Sequence, residues 1–514
     1  MAPTAGRRHR PANQAHEQGA DVTHVIVVGA GNAALCAALS AREHGAEVTV
    51  LEKAPEGERG GNTYFTGGGF RFPYEGMSDI LRVIPDLSEA EIGRVDVGSY
   101  TTAMFRDDLA RVTDGLIDDG MASTLVREAA PTMEWLHGRG VKFTLMTGRQ
   151  ANEVGGKLVF YGGLTVEAVG AGKGLSDQEF EAAVRTGCVV RYDSKVVGLL
   201  TEGRRVRGVE LWTEDSVEQL EADAVVLAAG GFEANIEMRT RYLGPGWDMA
   251  KVRGSRFNTG DAIQAAIVAG AQPFGNWSGA HAVAWDLNAP PTGNRIVADL
   301  YQKHSYPYGL IVNIDGQRFV DEGADIRNYT YAKYGREILE QPQRVAFQLF
   351  DQRTVGLLRD EYRVRQATMA TADSVPELAE ALGIDPQLLT ETVDEYNDAI
   401  QWDRIEDFNP STLDGVSTDD SVRPAKSNWA LPFDSPPYLG YAVTCGITFT
   451  FGGLKIDPRS GQVRDTEDRP MAGLYAAGEL VGGLFYNNYA GGSGLMAGSV
   501  FGRIAGRSAA DGDR

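Results

Sequence analysis

The first strong pattern along the chain is a change of hydrophobic period. His24–Val28 (HVIVV) is a short β-branched run, which predicts a buried strand. Gly29-Ala30-Gly31-Asn32 follows, and Ala33–Glu43 then sets Leu35, Leu39 and smaller apolar residues at helical spacing. Gly45 ends that helix, and Val48–Leu51 (VTVL) reads as a second strand. Strand, glycine turn, helix and strand make one βαβ unit. Farther on, a second glycine-rich stretch covers 60–70, and the pattern from about 87 to 140 is largely amphipathic helix, read as an insertion. Val189–Glu210 alternates like paired strands about a turn at Glu202-Gly203. Ala224–Ala229 (AVVLAA) predicts a buried strand running into Gly230-Gly231-Phe232, and Ala262–Ala269 a helix stopped by Gly270.

The middle of the chain differs. From about 274 to 435 it is richer in aromatics, prolines and charges, with only short apolar runs such as Gly309–Ile314. The earlier character returns at Cys445–Ile456, Gly473–Glu479 and Gly491–Arg507. The predicted organisation is a polar, disordered tail over 1–20, a first domain over 21–273, a cap over 274–435, and the remainder of the first domain over 436–508. The fold class is α/β: a discontinuous Rossmann-like nucleotide-binding domain carrying an inserted α+β cap.

Composition narrows the chemistry. Of 514 residues 63 are glycine, with no Gly-X-Y period to explain them, which suggests tight turns and close approaches of backbone to a ligand. A net charge of −21 argues against nucleic acid and anionic membranes as partners. The three cysteines, Cys36, Cys188 and Cys445, form no CxxC or CxxCH motif, so neither a disulfide framework nor a cysteine-held cluster or haem is expected. No metal-ligand cluster and no nucleophile–base motif stands out. No uninterrupted apolar run is long enough for a membrane span, and Arg7-Arg8 lacks the apolar stretch of a twin-arginine signal. A cytoplasmic setting is the expectation.

Val28–Ala34 (VGAGNAA) has the dinucleotide fingerprint, with alanine in the third small position. Gly29 allows the turn, Gly31 the approach of a pyrophosphate, and Ala34 close packing of helix on strand. The helix N-terminus then faces phosphate. Glu52 ends the second strand, where an acid can hold ribose hydroxyls. Lys53, the stretch Gly60-Gly61-Asn62-Thr63 and a late LYAAGE segment ending in Glu479 favour the longer dinucleotide, FAD, over NAD.

The segments GAGNAALCAALSAREHGAEVTVLEKAP, RGGNT, NTGDA, YPYGLIVNIDGQRFVDEG, CGITFTFGGL and GLYAAGELVGGL together resemble the flavoproteins of the fumarate reductase and succinate dehydrogenase family, most strongly its tricarballylate dehydrogenase branch. The resemblance spans most of 22–508. It implies FAD contacts from Gly29, Gly31, Asn32, Ala33, Glu52, Lys53, Gly61, Asn62, Thr63, Gly67, Gly68, Val197, Ala229, Gly230, Asp261, Glu479, Ser493, Gly494 and Leu495. Members that bind FAD covalently do so through a histidine where this chain has Asn62, so non-covalent FAD is implied. Arg327 is the nearest match to the family's proton-donating arginine. The alternative for Arg327 is a salt bridge to Asp321 or Glu322. His281 and His304 match histidines that bind substrate carboxylates, and Tyr489 is placed to line the pocket. Tyr306 and Tyr308 either join them or pack the cap.

Two departures from the family pattern bear on substrate. A histidine expected near Thr448-Phe449-Thr450 is absent, and an arginine expected in the Asn488–Gly492 segment is replaced by Tyr489. Both changes imply a larger or less charged substrate than fumarate. Three functions remain open at this level. One is a dehydrogenase acting on a CH–CH bond of a small polycarboxylate, as tricarballylate to cis-aconitate, with electrons passed to a separate electron-transfer protein. The second is a ketosteroid 1,2-desaturase, whose pocket would be apolar and without a His–Arg cluster. The third is a non-catalytic flavoprotein subunit of a redox complex.

Overall fold

In a computed structural model, residues 22–213 and 216–512 are described; the polar segment 1–20 lies outside them. The βαβ unit forms as its periodicity predicts, with strands His24–Val28 and Glu47–Leu51 around the helix Asn32–Glu43. The opening strand is central because its side chains are apolar on both faces, and only the middle of a parallel sheet buries both. It pairs in parallel with Ala224–Leu227 on one side and Glu47–Leu51 on the other. Val189–Arg191 and Pro470–Ala476 extend the parallel sheet outward, and Gln462–Arg464 closes one edge antiparallel. The strands after the inserted middle thus return to the sheet that the N-terminal strands began.

The alternation over 189–210 resolves into an antiparallel pair, Lys195–Glu202 with Arg205–Trp212, to which Val217–Glu221 adds a third strand. The 87–140 region carries the helices Thr102–Val112 and Asp119–Gly138.

The last helix, Ser493–Asp511, lies flush on Asn32–Glu43. Glycines make this possible. A Cβ on Gly502 would stand 2.3 Å from the Ala33 carbonyl oxygen, and one on Gly506 2.1 Å from that of Ala37. Asn32 stitches the two helices: its Nδ2 donates to the Leu495 carbonyl at 2.8 Å, and its Oδ1 accepts from Ser499 Oγ at 2.8 Å. The N-termini of both helices therefore open toward the same space.

The middle segment builds a second sheet around one strand, Tyr438–Leu454. Pro273–Asp286, Ala346–Phe350 and Met369–Ala372 pair with it antiparallel, and Leu310–Asn313 adds beyond Ala346–Phe350. The chain after 435 therefore runs through the cap sheet before it re-enters the nucleotide domain. The helix Tyr331–Leu339 packs directly on this sheet, with Gly335 so close that a Cβ would stand 2.4 Å from the Ala282 carbonyl carbon. That contact fixes the helix's first residue, Tyr331, over the gap between sheets. Among the described residues no helix is long and apolar enough to cross a membrane.

The flush helix pair is testable. Gly502→Val should cost about 3 kcal/mol through overpacking, with the chemical denaturation midpoint falling and flavin released before global unfolding. An unchanged midpoint would mean the two helices are free to separate.

Candidate active site

A single elongated cavity runs from the first glycine turn to the cap. Its lining includes Gly29, Gly31, Glu52, Lys53, Asn62 and Asp261 at one end, and His281, His304, Arg327 and Tyr489 at the other. Gly29 shows why the turn needs glycine: its φ is +102°, and a Cβ would fall 2.4 Å from the Ala228 carbonyl oxygen. Backbone N–H groups and the positive ends of two helix dipoles face the wall here, the arrangement that holds a pyrophosphate.

Charge at this nucleotide end is locally balanced. Lys53 Nζ donates to Asp261 Oδ2 at 2.7 Å, and Lys195 lies 3.0 Å from Asp261 Oδ1. Burial works to raise the Asp261 carboxyl, but Lys53, Thr259 and Lys195 together hold it below its ordinary value. Burial raises Glu52, whose Oε1 accepts from the Ala54 N–H at 2.7 Å.

Asn62 is held on three sides. Its Nδ2 donates to Glu233 Oε1 at 2.6 Å and to the Thr448 carbonyl at 2.7 Å, while its Oδ1 accepts from the Ser255 N–H at 2.8 Å. Behind it adjoin Glu233, fully buried, and Glu479, half-buried. Burial raises both, and Glu479, next to Glu233, lies well above the usual carboxylate range. Glu479 Oε1 accepts from the Thr450 N–H at 2.9 Å.

Most residues expected at the cofactor line the cavity, Ala33, Gly61, Thr63, Gly67, Gly68, Ala229, Gly230, Gly494 and Leu495 among them. Val197 and Ser493 do not. Ser194, Lys195 and Val196 form that stretch of wall instead, and the Ser493 Oγ is buried without a hydrogen-bond partner. On a strand, neighbouring side chains point to opposite faces, so one residue of register moves the contact from Val197 to Val196.

The cap end brings together every residue expected there and adds several more. Arg327 forms no ion pair with Asp321 or Glu322: Arg318 occupies Glu322 at 2.6 Å, and Ser427 holds Asp321. Instead the Arg327 guanidinium lies 5.3 Å from the Tyr331 ring centre, with its Nε unpartnered. Burial and the neighbouring Arg359 bring it down to about 10, so it stays charged at neutral pH. His304 is buried with neither ring nitrogen partnered. His281 stacks on Phe449 at 5.1 Å and meets the edges of Tyr331 and Tyr489. The Tyr489 hydroxyl accepts from the N–H groups of Gly492 at 2.8 Å and Gly494 at 3.3 Å. Tyr306 and Tyr308 do not line the cavity; their hydroxyls engage Thr330 and the Pro410 carbonyl.

Sequence reading missed three arginines. Arg149, Arg253 and Arg359 line the same end as Arg327. Arg253 donates through Nε to Asp299 Oδ1 at 2.8 Å and through Nη1 to Thr448 Oγ1 at 3.0 Å. Arg149 Nη1 reaches the other oxygen of Asp299 at 2.9 Å. Positive charge absent from the Asn488–Gly492 and Thr448–Thr450 segments thus enters this end from other parts of the chain. Only Arg253, just ahead of the NTGDA segment, lies near a motif that could have pointed to it.

The chain belongs to the FAD binding domain family, which it matches over residues 24–495. It is 27% identical over 492 residues to an NADH:fumarate oxidoreductase of Klebsiella pneumoniae (strain 342), covering 95% of this chain and 47% of that protein. This chain thus spans about half of that relative. It is also 27% identical over 500 residues to a fumarate reductase (cytochrome) of Shewanella frigidimarina, covering 95% of this chain and 77% of that one. Among solved structures, the open conformation of a flavocytochrome c3 fumarate reductase superposes with a TM-score of 0.69 at 25% identity, over 96% of this chain and 79% of that one. The 3-ketosteroid delta1-dehydrogenase of Sterolibacterium denitrificans has the same fold, with a TM-score of 0.70 at 21% identity over 96% of this chain and 100% of that one. The cavity's glycine-lined wall, helix N-termini and Glu52 fit FAD, the cofactor of the family, and the chain binds it.

Two outcomes follow. An amide at position 62 cannot bond to flavin, so acid precipitation of the holoprotein should leave the flavin in the supernatant; a yellow pellet would contradict this. His281 and His304 both sit well below the usual histidine value, through burial first and then nearby arginines. A base held below its ordinary value is neutral above it, so anion affinity should show no histidine break between pH 6 and 8. A tenfold fall centred near 6.5 in a flavin-absorbance titration would contradict it.

Proposed function

We propose that the chain is an FAD-dependent oxidoreductase acting on a CH–CH bond of a small polycarboxylate, of the tricarballylate to cis-aconitate type. The observation that supports this reading is the convergence of Arg149, Arg253, Arg327 and Arg359 with the unpartnered His304 on one buried cavity end. Buried cations need anions, and a substrate carboxylate is the anion a metabolic cavity admits.

FAD, when bound, supplies two-electron hydride chemistry. The protein's part is charge and placement. Carboxylate charge grows as a proton leaves the neighbouring carbon, and aimed guanidiniums stabilise it by roughly 3 kcal/mol each. Arg327, unpaired at Nε and lowered in pKa, is the group suited to carry that proton. His281, Phe449, Tyr331 and Tyr489 exclude water around it, which strengthens each of these interactions. The electrons pass to a separate electron-transfer protein in this reading.

A ketosteroid desaturase is the second reading. Tyr489, with its hydroxyl on two backbone N–H groups and aromatic rings around it, favours it. Against it stands the cost of leaving guanidiniums uncompensated beside an apolar steroid.

Anaerobic holoprotein should be bleached by tricarballylate. Bleaching by a 3-ketosteroid alone would support the second reading, and bleaching by neither would support a non-catalytic subunit. Arg327→Ala should retain the flavin spectrum and lose about 10²- to 10³-fold in turnover with an artificial electron acceptor. Near-normal turnover would remove Arg327 from the reaction.

A further inference from the structure

We infer that Arg149 and Arg359 form a second carboxylate subsite, additional to Arg327 and His304, so that the substrate carries at least two carboxylates. The inference deepens the polycarboxylate reading and rests on it.

The two arginines come from distant parts of the chain. Arg149 lies in the short helix Thr147–Gln150, and Arg359 just before the turn Asp360–Tyr362 of the middle segment. They meet directly: Arg359 Nη2 donates to the Arg149 main-chain carbonyl and to the Tyr161 hydroxyl, the latter at 2.8 Å. That contact uses one corner of the Arg359 guanidinium. Its Nε and Nη1 have no acceptor among the described residues. Arg149 likewise commits Nη1 to Asp299 and leaves its other nitrogens without one. Each presents an unused edge, and both line the cavity.

Counting donors calls for more than one carboxylate. A carboxylate offers about four lone-pair positions. One guanidinium edge presents two N–H donors to it, so Arg327, Arg149 and Arg359 together offer about six, and His304 adds at least one. That total exceeds what one carboxylate can accept and calls for the oxygens of a second.

Charge points the same way. Asp299 and the buried Glu361 offset part of the positive charge of Arg149, Arg253, Arg327 and Arg359. Glu167, also near Arg149, is raised by burial to about 7. These three carboxylates leave at least one of the four positive charges unbalanced. Arg359 in turn depresses Arg327, a repulsion that a carboxylate on each would relieve.

The test is a flavin-absorbance titration of the oxidised, FAD-loaded full chain with propionate, succinate and tricarballylate. In Arg149→Gln and Arg359→Gln, tricarballylate affinity should fall at least tenfold, while propionate affinity stays within about threefold. Arg359→Lys should recover part of the loss, because charge returns without the fork. Tyr161→Phe keeps every charge and should produce a smaller loss of the same selectivity. Equal losses for the acids with one and three carboxylates, or no loss at all, would overturn the second subsite and leave the carboxylate reading standing. A wild-type flavin that responds to none of the three acids would overturn the carboxylate reading itself.

Discussion

Uncompensated positive charge in a buried space is the constraint on which the rest of this structure turns. Guanidiniums cannot shed their charge at neutral pH, and burying them without partners costs several kcal/mol each. Here Arg149, Arg253, Arg327 and Arg359 converge where one carboxylate, Asp299, pairs directly with Arg149 and Arg253. The fold tolerates this because the charges lie on separate elements, each anchored elsewhere: Arg253 by Thr448, Arg359 by Tyr161, Arg149 by Asp299. The protein's own side chains leave part of that charge without a counter-ion.

The nucleotide end follows the opposite logic. Its charges are paired within the protein, Asp261 with Lys53 and Lys195, while burial raises the neighbouring carboxyls of Glu233 and Glu479. Recognition there is left to backbone, glycine and helix ends. The two halves meet at Asn62 and Thr448. Asn62 ties the glycine-rich turn to the strand Tyr438–Leu454, and Thr448 on that strand holds Arg253. Flavin placement and substrate charge are thereby joined through one short run of hydrogen bonds.

The nucleotide domain was largely legible in the chain because its signals are local. A β-branched run, a glycine turn and a helical period within 30 residues have one common solution, and the strands and helix formed within a residue of where the pattern places them. The cofactor wall was legible to within one residue of register, as Val196 in place of Val197 shows. Arg327, His281, His304 and Tyr489 were identified because each lies beside a motif. Arg149 and Arg359 carried no such sign. Each sits in an ordinary polar stretch, and their meaning arises only when chain segments 210 positions apart touch. The two departures from the family pattern speak only for their own positions, because charge in a cavity sums over the whole chain.

The cavity's affinity should follow the number of negative charges offered to it. Calorimetric titration of the wild-type FAD-loaded protein at fixed low salt, with saturated acids bearing one, two and three carboxylates on similar carbon frames, measures this directly. The dissociation constant should fall about tenfold with each added carboxylate, with a slope that flattens as salt rises. Equal affinity across the series, or heat only with an uncharged apolar ligand, would contradict it.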